Sequence, residues 1–125
     1  MTPEAQEFVE RVIDTIHQLE ILMLLRRSPD RFWRVDEIST ELRIGTTTVA
    51  AGVSGLQANG VLAGNDAQPV AYRYDPRSIS VHAGVESLAA AYEADPLSVL
   101  KALLAKPPRA LRTFSDAFVL RRRRD

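Results

Sequence analysis

The side chains that could carry catalytic or metal chemistry are few in this sequence and are widely spaced. The chain has no cysteine and only two histidines, His17 and His82, so it offers neither a thiolate nucleophile nor a cluster of metal ligands. Four acidic side chains recur between residues 4 and 14, but a run of this kind is usually a solvated helix face. No phosphate-binding glycine loop and no nucleophile elbow is present. The sequence therefore predicts no enzyme, no metal site and no cofactor.

The polar chemistry that remains is that of binding, and it is concentrated in residues 34–62, RVDEISTELRIGTTTVAAGVSGLQANGVL. Ile38 and Leu42 are four residues apart, which predicts a short helix with one apolar face. Gly45 is expected to end this helix in a left-handed conformation. Thr46 is then expected to cap the next helix through its hydroxyl group.

A second helix is predicted over residues 46–59. Val49, Val53 and Leu56 form one apolar stripe along it, and Gly60 marks its end. The next two residues continue as an extended strand. A helix, a short turn containing glycine, a second helix and a strand form the layout of a helix-turn-helix.

A hairpin is predicted after the second helix. Two strand-like segments, residues 61–63 and 70–74, flank a cluster of glycine, asparagine, aspartate and proline at residues 64–69. Such a cluster between two strand-like segments is typical of a β-hairpin turn.

With this hairpin, residues 34–62 resemble the winged-helix regulators of bacteria, whose pattern is roughly DEIA-x-x-L-x-I-x-x-x-TV-x-x-x-L-x-x-L-x-x-x-GVL. The resemblance implies a mostly α (α+β) fold, a winged helix-turn-helix core with a β-hairpin wing and extra N- and C-terminal helices. It also implies a DNA-binding transcriptional regulator, in which the second motif helix and the wing contact duplex DNA. The matching residues are Asp36, Glu37, Ile38, Leu42, Ile44, Thr48, Val49, Val53, Leu56, Gly60, Val61 and Leu62.

Apolar stripes outside the motif predict more helix than a winged-helix core requires. The first stripe continues from Phe8 to Leu25, so this helix either bends near His17 and Gln18 or extends to meet a partner. Residues 81–92, 97–104 and 109–124 predict further helices. The expected organisation is one domain, residues 1–125, with a core at 18–75 and helical extensions at 1–17 and 76–125.

These terminal helices predict a homodimer. Regulators resembling the MarR type dimerise through such helices, and a two-fold dimer matches a two-fold DNA site. The alternative is that the terminal helices pack back on their own monomer.

The predicted recognition helix carries no basic residue. A helical wheel of residues 47–58 exposes a face of small side chains opposite the apolar stripe, with Gln57 on its flank. Specific reading of the major groove relies mainly on Arg, Lys, Asn and Gln. Gly52 and Gly55 are each expected to destabilise the helix by about 1 kcal/mol. The exposed face consists of Thr47, Ala51, Ser54 and Ala58.

Two interpretations of this surface follow. In the first, small side chains let the helix approach DNA closely, threonine and serine bind phosphates, and nearby arginines supply positive charge. In the second, the flat uncharged face of helix 46–59 is a protein-docking surface on a winged-helix scaffold. The DNA-binding candidates are Arg34, Arg43, Thr46, Thr47, Thr48, Ala51, Ser54, Gln57, Asn65 and Arg73.

The basic charge of the chain lies at its C-terminal end. The formal net charge is zero, but the last 25 residues hold eight basic and two acidic side chains. The wing, by contrast, carries Asp66 at its tip and no Lys or Arg there. A basic arm is therefore predicted, which would bind phosphates beside a DNA site or an acidic surface of another protein. The alternative is a set of solvated charges that closes a helix. The arm residues are Arg121, Arg122, Arg123 and Arg124.

A cytoplasmic location with no membrane partner is expected. The longest apolar segment, residues 21–25, is too short to span a bilayer, and no basic-then-apolar leader precedes it.

Overall fold

The structure is a computed structural model that describes residues 1–106. The predicted helix 109–124, with the arginine arm at its end, lies outside the described residues. In chain order the described elements are α1 (Pro3–Val12), α2 (Ile16–Arg27), β1 (Trp33–Arg34), α3 (Val35–Leu42), α4 (Thr46–Ala58), β2 (Leu62–Gly64), β3 (Ala71–Tyr74), α5 (Ile79–Ala94) and α6 (Pro96–Leu104).

A helix-turn-helix and a small antiparallel sheet form the centre of the fold. The three strands are ordered β1-β3-β2, so the hairpin β2–β3 joins the sheet through β3. Trp33 pairs with Tyr72 across β1 and β3, and Leu62 pairs with Tyr74 across the hairpin. This confirms the mostly α, winged helix-turn-helix fold with a hairpin wing that the sequence predicts.

The first predicted helix is interrupted at residues 13–15. Ile13 adopts an extended backbone conformation (φ −95°, ψ 120°), and Thr15 caps α2 by accepting a hydrogen bond from the Gln18 backbone N–H at 3.0 Å. The predicted bend near His17 and Gln18 is therefore misplaced by a few residues. The apolar stripe gives no sign of the break, because Ile13 is itself fully buried.

Helix α1 packs back on α5 of its own chain. A Cβ atom on Gly84 of α5 would lie 2.5 Å from Cδ2 of Phe8, so the missing side chain lets the two helices approach closely. Phe8 and Val85 are both buried in this contact region. Within one chain, α1 is therefore part of the core, and it does not extend away from it.

The turn between α3 and α4 differs from the prediction. Arg43, not Gly45, has the left-handed conformation (φ 58°, ψ 46°), and Gly45 is the N-cap of α4 with φ −58°. Thr46 is thus the first residue of α4 and not its cap. The reversal comes earlier because the backbone N–H groups of Arg43 and Ile44 both donate to the Ser39 carbonyl. The Ser39 hydroxyl in turn donates to the Ile44 carbonyl.

One cluster of buried apolar side chains extends from α1 to α6. The predicted stripe of α4 lies inside it, since Val49, Val53 and Leu56 are at most 1% exposed. Trp33 is 4% exposed and belongs to this core. Within the described residues, none of the helices is both long enough and apolar enough to pass through a bilayer.

Candidate nucleic-acid interface

Helix α4 presents an uncovered face of small side chains. Thr47, Ala51, Ser54 and Ala58 are all exposed, opposite the buried stripe, as the helical wheel predicts. Glycine N-caps leave the first amides of a helix without a side-chain partner, and Gly45 makes no side-chain cap here. The exposed N-terminus of α4 therefore carries the positive end of the helix dipole.

The two glycines within α4 leave room for the α2 side chains that pack against it. A Cβ atom on Gly52 would lie 2.8 Å from Cδ1 of Ile21, and one on Gly55 would lie 2.6 Å from Nε2 of Gln18. These glycines lower the helix propensity of α4 but allow it to lie close to α2. Gln18 was not singled out by the sequence, although a polar residue within an apolar stripe is a detectable signal.

Arg43 is exposed and stands three residues before Thr46, the first residue of α4. No ion pair involves its guanidinium in the part of the chain that the structure describes. It lies beside Thr46, Thr47 and Thr48, whose side chains are also exposed. A guanidinium, three hydroxyl groups and a helix N-terminus together can bind an anion such as a phosphate.

The other two candidate arginines already have acidic partners. Arg34 donates twice to the Asp36 carboxylate, from Nε and from a terminal nitrogen, both at 3.0 Å. Arg73 lies 3.7 Å from Asp75 and stacks over the Phe32 ring at 4.9 Å. Because an anion would compete with these carboxylates, the two arginines are less available to an anion than Arg43 is.

Asn65 organises the wing turn. Its side-chain oxygen accepts hydrogen bonds from the backbone N–H groups of Ala67 (3.2 Å) and Ala71 (2.9 Å). The backbone N–H of Asn65 donates to the Ala71 carbonyl at 2.9 Å. On the helix side, Gln57 lies against the wing, since a Cβ atom on Gly64 would be 3.4 Å from its Nε2. Gln57 thus stands between α4 and the wing.

An open groove of about 600 Å³ lies between α4 and the α1–α2 junction. The exposed face of α4, Thr47, Ala51, Ser54 and Ala58, lines it together with Gly52, Gly55 and Gln18. Asp14 is the one charged residue among those that line it. The exposed face of α4 is therefore one wall of this largely uncharged groove.

An ion pair behind the interface joins α2 to α5. Arg26 donates to both carboxylate oxygens of Glu86, at 2.6 and 2.9 Å. This hydrogen bonding lowers the pKa of Glu86 and raises that of Arg26. Burial raises the pKa of the neighbouring Tyr74 to about 12. The Tyr74 hydroxyl also lies 3.1 Å from Nδ1 of His82, which ties the end of β3 to α5.

No protein-family model and no curated protein sequence matches the chain. Solved structures do resemble it. A MarR family protein from Bacillus stearothermophilus superposes with a TM-score of 0.52 at 16% identity, over 96% of this chain and 81% of that one. The multiple antibiotic-resistance repressor MarR from Listeria monocytogenes gives 0.50 at 16% identity, over 96% and 84%.

A third solved structure has a similar fold. The adhesin competence repressor from Streptococcus pyogenes gives a TM-score of 0.51 at 20% identity, over 87% of this chain and 77% of that one. At such identities the likeness concerns the fold, and it includes the helices outside the motif as well as the motif itself. Residues 1–106 therefore have the winged-helix fold of these structures.

Proposed function

We propose that this protein is a DNA-binding transcriptional regulator of the winged-helix type, which contacts duplex DNA through α4 and the wing. The observation that carries the proposal is the uncovered face of α4, with the wing beside it and Arg43 at its start. Two of the similar solved structures bear the name of repressors, and the third is named as a MarR family protein.

The proposed contact is mostly with the DNA backbone. Arg43, the threonines of the first turn and the N-terminus of α4 supply phosphate contacts. The small side chains at Ala51 and Ala58 let the helix lie deep in the major groove. Ser54 and Gln57 are the side chains with base-edge hydrogen-bonding capacity, so sequence discrimination is expected to be weak.

We further infer that the protein acts as a homodimer through its terminal helices. Leu97 and Leu104 of α6 are 66% and 72% exposed within one chain. Nearby, an apolar depression of about 460 Å³ lies between the start of α1 and helices α5 and α6. Covering these surfaces with a second copy would bury apolar area and would place two α4 helices on a two-fold DNA site.

Binding to random genomic duplex, titrated over salt, tests the proposal. A backbone-dominated contact gives a logarithmic affinity that falls linearly with the logarithm of salt concentration, with a slope of about −0.9 per phosphate contacted. Ala51→Arg should strengthen binding and steepen this slope, whereas Ala51→Glu at the same exposed position should abolish binding. Arg27→Ala, at the far end of α2 from the groove, is the control and should change neither quantity.

The competing function is protein docking on the same face of α4. The observation that favours it is the lack of charge on that face and along most of the adjoining groove. If the pure protein shows no duplex binding at low salt, or if Ala51→Arg and Ala51→Glu bind DNA equally well, the DNA proposal is wrong and docking replaces it.

A further inference from the structure

Lys106, the last described residue, forms hydrogen bonds with the C-terminal end of α1. The Lys106 ammonium group donates to the backbone carbonyls of Val9 at 2.6 Å and Glu10 at 3.0 Å, and also to that of Ile13. These carbonyls lie at the C-terminal end of α1, where the helix dipole is negative and where a cation is stabilising. The start of the α1–α2 junction is therefore fixed by a side chain that follows α6.

The same peptide group connects Lys106 to α4. The Ile13 carbonyl and the Asp14 N–H belong to one peptide bond, and this N–H donates to Oε1 of Gln18 at 2.7 Å. Nε2 of Gln18 then donates to the Gly52 carbonyl at 3.2 Å. A line of three hydrogen bonds thus runs from the end of α6, through the junction, to the middle of α4.

Because the Gln18 side chain is buried, the loss of either of its hydrogen bonds is costly. Gln18 is 3% exposed and is the one non-aromatic polar side chain that is buried within residues 1–106. Hydrogen bonds in such surroundings are strong and polarise one another, and an orphaned partner is costly. The side-chain amide of Gln18 lies close against Gly55, since a Cβ atom on Gly55 would be 2.6 Å from Nε2 of Gln18. A displaced junction would therefore displace α4 or leave buried polar groups unpaired.

We propose that Gln18 is a positioning residue for α4, and that it relays to α4 the position of the α1–α2 junction as set by Lys106. Glutamine suits this role because one side chain accepts from the junction and donates to the helix. The consequence for DNA affinity rests on the proposed function, whereas the structural coupling does not. Two residues that lie behind the exposed face would then control how that face is presented.

The coupling itself is tested by NMR on the full chain, by following the backbone amide of Val53. Its nitrogen shares a peptide bond with the Gly52 carbonyl, so its chemical shift reports the hydrogen bond from Gln18. Lys106→Met should shift the Val53 signal in the same direction as Gln18→Met does, and Lys106→Arg should restore it. Lys101→Met removes the same charge from exposed α6 and is the matched control. An unchanged Val53 signal in Lys106→Met would overturn the relay.

DNA affinity gives the functional test. Lys106→Met and Gln18→Met should each weaken binding by about two- to thirtyfold, the range typical of coupling changes, and the double variant should be no weaker than Gln18→Met alone. Fully additive effects in the double variant would overturn the relay. If the wild-type protein binds no DNA, the proposed function fails, and the Val53 signal alone decides the coupling.

Discussion

An arginine near α4 is available to a ligand only if its guanidinium is not already held in an ion pair with a carboxylate. The sequence predicts Arg34, Arg43 and Arg73 alike as DNA-binding candidates, because it shows only their positions. In the structure Arg34 and Arg73 lie against the carboxylates of Asp36 and Asp75. Exposed ion pairs contribute little to stability, but they still compete with an incoming phosphate. Arg43 is therefore expected to be the main anchor.

Substitutions of Arg43 should separate binding from stability. A left-handed residue other than glycine carries strain, so Arg43→Gly should raise the free energy of unfolding by about 0.5–1 kcal/mol while weakening DNA binding. Arg43→Lys should retain most of the binding. Thermal melts and salt-titrated binding measure the two effects, with Arg34→Ala as the comparison. Equal losses of affinity in Arg34→Ala and Arg43→Ala would show that pairing does not matter here.

At the scale of elements, the α4 stripe was predictable and the packing of α4 was not. Val49, Val53 and Leu56 follow helical spacing, which is a local property of the sequence. The contact between Gly52 and Gln18 joins residues 34 positions apart, so the sequence can mark Gln18 as an unusual polar residue but cannot identify its partner. For the same reason the bend after α1 was predicted only to within a few residues, since Lys106, which donates to the Ile13 carbonyl there, lies 93 positions away.

The buried face of α4 can be tested with two adjacent positions. Val53→Asp should unfold the domain, because it places an unpaired charge at a site that is 1% exposed between the motif helices and α2. Ser54→Asp adds the same charge one residue later, on the exposed face, and should leave a folded protein. Circular dichroism and thermal melts distinguish the two. A cooperative melt for Val53→Asp near the wild-type temperature would mean that the inward face is misassigned.

The link between α2 and α5 should appear in the acid dependence of stability. Arg26 lowers the folded-state pKa of Glu86 below the ordinary value of 4.5. The stabilisation is then present above that value and is lost as the pH falls through the lower folded-state pKa. Glu86→Gln should reduce stability at neutral pH and should flatten its decline below about pH 4.5. Denaturant titrations at several pH values measure this, and an unchanged slope in Glu86→Gln would contradict it.

At the scale of the whole molecule, charge is divided along the chain. Residues 1–106 carry ten basic and fourteen acidic side chains, whereas residues 107–125 carry six and two. The proposed DNA-binding surface on the first part therefore belongs to an acidic body. The positive charge that follows it in the sequence could offset this repulsion, which supports a binding role for the predicted arm.

Removing the arm should affect binding and not folding. Truncation after Leu120 is expected to leave the melting temperature nearly unchanged and to lower the salt slope by up to about 0.9 per arginine removed. Replacing Arg121 to Arg124 with glutamine keeps the chain length and should give the same result. If DNA binding is intact but an acidic protein partner is lost, the arm serves that partner. Collapse of the fold or of the dimer would instead make the arm structural.

Light scattering at micromolar concentration should give twice the 13.9 kDa mass of one chain. Leu97→Glu combined with Leu104→Glu should shift the protein towards monomer, because it places charges on the exposed apolar side of α6. Ile79→Glu changes a side chain that is 88% exposed on α5 and serves as the control. A wild-type protein that remains monomeric at high concentration would remove both the dimer and the two-fold DNA site.

The buried Trp33 gives this protein a built-in optical reporter. It is the single tryptophan of the chain, its ring is covered by the Arg31 guanidinium at 3.5 Å, and it pairs with Tyr72 of the wing strand β3. Its indole N–H has no hydrogen-bond acceptor among the described residues. Fluorescence emission should therefore be blue-shifted in the folded protein and should move to longer wavelength when the β1–β3 pairing opens. Rapid-mixing fluorescence can thus follow the wing in real time, without a label.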